Sequence, residues 1–140
     1  MVNKLNIPSS EQLDKSLKNT INEVLGVKIT GVGTDFIEAT MPVNPAHNNL
    51  GFLTNGSMVV LSETLGSIGA SLTVDLKKQR CLGLAINANH ITPVKSGTVT
   101  ATAKPLSTDG NTQIWEIKIK NEENTLVCVS RLTVAVVPAM

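Results

Sequence analysis

One apolar segment, interrupted by a single charge, constrains the fold of this 140-residue chain more than any other feature. Residues 57–72 carry no formal charge except Glu63, which is also the only one between Ala39 and Val74. At about 100° per residue, the bulky side chains gather on one side of a helix: Met58, Leu61, Leu65, Ile68 and Leu72. Small side chains and one valine lie within about 60° of Glu63: Gly56, Val59, Gly66, Ser67 and Ala70. The segment predicts a mostly buried helix whose bulky face packs on a sheet and whose small face leaves room for a ligand or a second backbone.

Glu63 is the main candidate for chemistry. An ionised carboxylate buried without a partner costs several kcal/mol, so a carboxylate in the most apolar segment of a chain indicates binding or catalysis. In apolar surroundings it is also poorly solvated, which makes it a better base or nucleophile if it stays ionised. The alternative role is structural, with Glu63 reaching a lysine or a backbone amide at a subunit contact.

The rest of the chain predicts mostly strands. A short amphipathic helix is expected over about residues 10–22, because capping serines precede Leu13, Leu17 and Ile21 at helical spacing. Alternating residues predict a hairpin of strands 27–30 and 35–41, and residues 42–53 are typical of a loop. Four more strands are predicted after the apolar helix, at residues 82–92, 98–106, 112–120 and 125–137.

These elements predict an α+β fold in one domain, residues 1–140, with its core at about 25–137. A mostly buried helix must be covered on most sides, so we expect a curved antiparallel sheet around it. A net charge of +1 gives no basic surface for nucleic acid. No apolar run approaches the ~20 residues that span a bilayer and no signal peptide is evident, so we expect a cytoplasmic protein without membrane contact. Cys81 and Cys128 lack metal-ligand spacing and are interpreted as small buried hydrophobes, and no metal site is predicted.

Several motifs together carry a family resemblance. They are Ile-Glu-Ala-Thr-Met-Pro-Val at 37–43, Gly-Phe-Leu at 51–53, Leu-Ser-Glu-Thr-Leu-Gly-Ser at 61–67, Ile-Asn-Ala-Asn-His-Ile-Thr-Pro-Val-Lys-Ser-Gly at 86–97 and Val-Ser-Arg-Leu-Thr at 129–133. From about residue 25 to 137 the chain resembles the acyl-CoA thioesterases of the PaaI and Arthrobacter-type 4-hydroxybenzoyl-CoA thioesterase group, which includes the 1,4-dihydroxy-2-naphthoyl-CoA hydrolases. The resemblance implies the hotdog fold, a curved antiparallel sheet around one central helix.

The resemblance also implies roles for five catalytic positions. Glu63 takes the place of the carboxylate that attacks the thioester or activates water, and Ser67 that of a hydroxyl that helps to place the attacking group. The helix start, His-Gly-Gly in most of the group, reads Thr54-Asn55-Gly56 here, and its backbone amide at Asn55 would polarise the thioester oxygen. Asn48 replaces a loop residue that is commonly Gln. A helix N-terminus suits this task because its amides and dipole stabilise negative charge.

Coenzyme A and a second copy of the chain are the partners that the resemblance implies. Substrate and coenzyme A would contact Gly56, Asn89, His90, Lys95, Ser130 and Arg131, although charged residues near strand ends are often merely solvated. Members of the group form one active site from two protomers, so a homodimer paired into a homotetramer is expected. No metal or redox cofactor is implied. We expect an aromatic or medium-chain acyl-CoA substrate, with an acyl pocket of aliphatic side chains, since Phe36, Phe52 and Trp115 are the only aromatic rings.

Two alternatives stay open from the sequence. The replacement of His-Gly by Thr54-Asn55 also fits a non-catalytic acyl-CoA binder or a degenerate paralogue, in which Glu63 is a relic or a ligand anchor. A hotdog dehydratase of 3-hydroxyacyl thioesters would pair a histidine with an acidic residue, and His47 with Glu63 is the available pair. The proline-rich context of those dehydratases is missing from this chain.

Overall fold

The computed structural model describes residues 7–44 and 48–140. Its elements, in chain order, are α1 (Ser10–Lys15), α2 (Ile21–Leu25), β1 (Lys28–Val32), β2 (Ile37–Pro42), β3 (Asn48–Asn49), β4 (Phe52–Leu53), α3 (Asn55–Ser71), β5 (Gln79–His90), β6 (Thr98–Ser107), β7 (Thr112–Lys120) and β8 (Leu126–Pro138). Six strands form one antiparallel sheet in the order β1-β2-β6-β7-β8-β5, and β3 pairs with β4. No helix of the described residues is long and apolar enough to cross a membrane.

Helix α3 packs against one face of the sheet and contacts five of its strands. Met58, Leu61 and Leu65 are almost fully buried. This confirms the predicted α+β architecture, with the apolar helix covered by a sheet of antiparallel strands. One continuous hydrophobic cluster extends from Leu17 to Val134.

The small face of α3 differs from its prediction. Gly66 and Ala70 are buried against the sheet and do not line open space. A Cβ on Gly66 would lie 2.6 Å from Leu132 Cδ2, and one on Gly69 would lie 2.6 Å from Trp115 Cζ3. These residues are therefore small because the helix approaches bulky sheet side chains closely. The buried part of the bulky face is also shorter than predicted, because Ile68 and Leu72 are only half-buried.

The predicted N-terminal helix is two helices. Asn19 has a φ of 63°, a left-handed conformation that Asn tolerates and that interrupts a helix. Thr20 then caps α2, and its side chain accepts a hydrogen bond from the Asn22 amide at 3.2 Å. The prediction missed this break because Leu17 and Ile21 keep helical spacing across it.

The two edge strands of the sheet, β1 and β5, differ in whether other segments cover them. At β1, the Asp14 carboxylate accepts a hydrogen bond from the Ile29 amide at 2.9 Å, so the preceding helical segment covers that edge. Within the described ranges, β5 pairs only with β8, and its outer edge has no neighbouring strand. Leu84 in this strand is 63% exposed. A long, uncovered edge with exposed apolar side chains is a surface for pairing with another chain.

Candidate active site

Glu63 lies at the middle of α3, on the side turned away from the buried core. Its side chain is exposed in the single chain, so one protomer does not supply the apolar enclosure that the sequence predicts. Glu63 and Ser67, one helical turn apart, both line an open groove of about 480 Å³. The groove runs between α3 and the N-terminal helices, and its other lining residues are Ser16, Leu17, Thr20, Ile21, Asn22, Val60, Thr64 and Ile68.

A buried hydrogen bond holds α2 beside Glu63. Thr64 Oγ1 donates to Asn22 Oδ1 at 2.7 Å, and Asn22 is only 8% exposed. Asn22 Nδ2 in turn donates to Thr20 Oγ1 at 3.3 Å. This contact fixes one wall of the groove against the helix that carries the carboxylate. Sequence reasoning missed it because Asn22 belongs to no recognisable motif and lies 42 residues from Thr64 along the chain.

Replacing Asn22 by Ala is expected to lower the free energy of unfolding by about 1 to 3 kcal/mol, because the Thr64 hydroxyl loses its buried acceptor. Urea denaturation followed by Trp115 fluorescence measures the change. Thr30→Val is the control, since it removes an exposed hydrogen bond of similar length, from Thr30 Oγ1 to Glu38 Oε1 at 2.8 Å. The control is expected to change the free energy by no more than about 0.5 kcal/mol. Equal losses of unfolding free energy in both variants would show that the hydrogen bond between Thr64 and Asn22 contributes no more to stability than the exposed one.

The start of α3 presents backbone to the surface. Thr54 is the N-cap residue, with φ −63° and ψ 131°, and its side chain makes no capping hydrogen bond. Its carbonyl accepts from the Ser57 hydroxyl at 2.6 Å. Asn55 and Gly56 are exposed, and the heavy atom nearest to a Cβ built on Gly56 is 3.9 Å away. The first turn carries no acidic residue, so the positive end of the helix dipole is not neutralised there.

Lys95 lies beside this helix start. Its Nζ is 5.4 Å from the centroid of the Phe52 ring, a cation–π contact. The Leu53 amide, directly before the N-cap, donates to the Val94 carbonyl at 2.8 Å. A predicted contact with coenzyme A thus lies next to the predicted oxyanion donor. Asn48 lies in β3 opposite Leu53, but its side chain, like the whole of His47, is outside the described residues.

Glu63 and the helix start are far apart within one chain. Eight residues separate Asn55 from Glu63 along α3, which at about 1.5 Å per residue is about 12 Å. An attacking carboxylate and an oxyanion donor must each lie about 3 Å from the same carbonyl group. The separation of the two backbone positions is thus consistent with the prediction that the two groups come from different protomers.

The four residues expected near coenzyme A at β5 and β8 divide between the two faces of the sheet. Asn89 pairs with Val129 and Asn87 with Arg131, and these side chains line an outer groove of about 230 Å³. His90 pairs with Cys128 and Ala88 with Ser130, which places them on the helix side, because cross-strand partners share a face.

Ser130 and Arg131 consequently differ in what they can contact. Ser130 is 1% exposed, and its hydroxyl has no hydrogen-bond partner among the described residues. Its side chain faces the core, and the residue also lines the outer groove. The Arg131 side chain is 65% exposed and lies 3.9 Å from the Glu116 carboxylate. A phosphate would have to compete with that carboxylate for the guanidinium group.

Both thiols fit the interpretation as small hydrophobes. Burial raises the pKa of Cys81 and of Cys128, and a hydrogen bond from Ser71 partly offsets the effect at Cys81. A raised pKa leaves less thiolate at neutral pH, which disfavours a nucleophilic role. Within residues 7–44 and 48–140, no three His, Cys, Asp or Glu side chains are grouped for a metal ion.

Comparisons with known proteins agree on one family. The model of the thioesterase superfamily matches residues 50–128. A Vibrio cholerae protein provisionally named an esterase is 49% identical over 129 residues, 91% of this chain and 85% of the relative. The 1,4-dihydroxy-2-naphthoyl-CoA hydrolase of Escherichia coli is 39% identical over 113 residues, 80% of this chain and 82% of the relative. A thioesterase crystal structure from Haemophilus influenzae, 42% identical, superposes with a TM-score of 0.94 over 100% of this chain and 97% of that one.

Proposed function

The chain belongs to the thioesterase superfamily and is a thioester hydrolase, and from that premise we propose that it cleaves an aromatic or medium-chain acyl-CoA to the free acid and coenzyme A. One observation carries the proposal: Glu63 stands at the margin of an apolar groove on the central helix. The family membership disfavours the non-catalytic binder. His47, on which the dehydratase alternative depends, lies outside the described residues.

The groove supports the choice of acyl group. Its volume of about 480 Å³ is in the range of small-molecule sites. Leu17, Ile21, Val60 and Ile68 give it aliphatic walls, which suit an aromatic ring or a medium-length chain. A relative that covers most of this chain is named for hydrolysis of 1,4-dihydroxy-2-naphthoyl-CoA, a thioester with an aromatic acyl group.

The active site is proposed to form between two copies of the chain. The separation of about 12 Å between the backbone positions of Asn55 and Glu63 supports an oxyanion donor that comes from another copy. The uncovered edge of β5 supplies a surface on which a second copy can pair, with exposed Leu82, Leu84 and Ile91 nearby. A second copy at this edge would also cover Glu63, which lies against Gly83 of β5. Further pairing of dimers into a tetramer is part of the same proposal.

The reaction breaks the bond between the acyl carbon and the coenzyme A sulfur and adds water across it. Either the Glu63 carboxylate attacks the acyl carbon and forms an anhydride that water opens, or it takes a proton from the attacking water. In both routes the thioester oxygen becomes negative and accepts a hydrogen bond from the Asn55 amide of the other copy. The proton finally resides on the departing thiolate or in solvent. The chain's own groups supply these steps without a metal or redox cofactor.

Contacts with coenzyme A are proposed at two places. Lys95 lies against the Phe52 ring beside the helix start and is proposed to contact the part of coenzyme A nearest to the thioester. Asn89 and Arg131 share the outer groove and suit phosphates farther along the sheet. His90 lies on the helix side of the sheet and stays a proposed contact. Ser130 also lines the outer groove and stays a proposed contact, although its side chain is buried.

Release of free thiol from a panel of acyl-CoAs tests the function. Aromatic and medium-chain substrates are expected to have kcat/KM values at least about tenfold above acetyl-CoA, since each buried methylene contributes about 0.8 kcal/mol. The panel should include benzoyl, hydroxybenzoyl, octanoyl and acetyl thioesters at equal concentration. Faster cleavage of the acetyl thioester than of all the others would overturn the substrate class. Failure of every thioester would overturn the proposed function itself.

A further inference from the structure

We propose that Gly83 is a positioning residue for the reaction, because the absence of a side chain there leaves the space that the Glu63 carboxylate occupies. The inference rests on the proposed function and adds a second residue to the attacking end of the site. Gly83 belongs to β5, opposite buried Val134 of β8, so a side chain at this position would point toward α3.

The contact between the two residues is close. A Cβ built on Gly83 would lie 3.0 Å from Glu63 Oε1 and 4.0 Å from its Cδ. In the part of the chain that the structure describes, no hydrogen bond or ion pair holds the Glu63 carboxylate. The bare backbone of β5 therefore lies against this carboxylate in the single chain.

An irregularity in β5 brings that backbone into place. The register of β5 against β8 shifts between Gly83 and Ala85, so Leu84 is an extra residue without a cross-strand partner. A bulge of this kind bends the strand and re-aims neighbouring positions, and bulges are common next to active sites. Leu84 is turned outward and exposed, and Gly83 is left beside the carboxylate.

An alanine at position 83 is expected to disturb catalysis and not folding. The φ of Gly83 lies outside the positive range that disfavours side chains, so alanine can adopt its backbone conformation. The closest atom it would meet is the end of an exposed, flexible side chain, which can rotate away. At 3.0 Å the carboxylate oxygen must move by a few tenths of an ångström, and since a 1 Å misplacement costs about 100-fold in rate, we expect a loss of several-fold.

The experiment compares kcat and KM of Gly83→Ala with those of the unaltered protein. We expect kcat to fall about three- to tenfold and KM to change by less than about twofold, since the affected group acts in the transition state. Gly31→Ala is the matched control: it lies in the opposite edge strand, and its Cβ would meet Phe36 at an ordinary 3.5 Å. The control is expected to keep full activity.

A double-mutant cycle separates a positioning role from a structural one. In a Glu63→Asp background the carboxylate is one methylene shorter and no longer reaches Gly83, so Gly83→Ala should change kcat by less than about twofold. Equal losses in both backgrounds would overturn the inference.

Dissociation of the oligomer by Gly83→Ala would overturn the inference as well, because the loss of activity would then come from the interface. If Glu63→Gln is inactive but Gly83→Ala keeps the full kcat, the inference fails and the proposed function stands. An inactive unaltered protein overturns both.

Discussion

Replacing Glu63 by Gln is expected to reduce turnover of every cleavable thioester by roughly 10²- to 10⁴-fold. Glutamine keeps the size of the side chain but can neither attack the acyl carbon nor take a proton from water. The carboxylate has no hydrogen bond or ion pair among the described residues, so folding should be unaffected, with a change in unfolding free energy within about 0.5 kcal/mol. Thiol release measures turnover, and binding of a non-hydrolysable acyl-CoA analogue should remain.

Glu123→Gln is the matched control for this loss. Glu123 is an exposed residue in the turn between β7 and β8, and the same change of charge there should leave turnover unaltered. A Glu63→Gln variant that keeps more than about a tenth of the activity would exclude Glu63 as the attacking group or the base.

Replacing Asn55 by Pro is expected to lower kcat by about 10²- to 10³-fold, because proline removes the amide that stabilises the negative oxygen. The substitution suits the fold, since Asn55 is the first residue of α3, where proline is favoured. The preceding Thr54, at φ −63° and ψ 131°, already has the extended conformation that a following proline requires. The helix should therefore keep its start while losing one donor.

Asn55→Ala is the control for the proline variant. It removes the same side chain but keeps the backbone amide, so its kcat should stay within about threefold of the unaltered protein. Circular dichroism should show the same helix content in both variants. Equal loss in both would assign the role to the Asn55 side chain, and no loss in either would remove the helix start from the mechanism.

Regular patterns made most of the fold predictable. Strands β5 to β8 and helix α3 lie within about three residues of their predicted bounds, because alternation and helical spacing persist over nine residues or more. The hairpin of β3 and β4 was not predicted, since its two-residue strands are too short to show a period. The break at Asn19 was missed because a left-handed residue leaves no trace in hydrophobic spacing.

The site was only partly predictable from sequence. The pleat of a strand places the side chains of Asn89 and His90, and those of Ser130 and Arg131, on opposite faces of the sheet, which the sequence analysis did not consider. Glu63 is exposed in the single chain, which differs from the expected burial, and the proposed second copy would supply the missing cover. No sequence pattern indicated a role for Gly83, because it comes close to Glu63 only when β5 folds beside α3.

Mixing the Glu63→Gln and Asn55→Pro variants tests most directly whether the hydrolase site is shared between two copies. After denaturation and refolding together, half of the dimers carry one chain of each kind, and one of their two sites is intact. Activity should then recover to about a quarter of that of the unaltered protein, although each variant alone is nearly inactive. Native mass spectrometry confirms that mixed dimers form. Mixed dimers without recovered activity would contradict a shared site, because every site built within a single chain retains one defect.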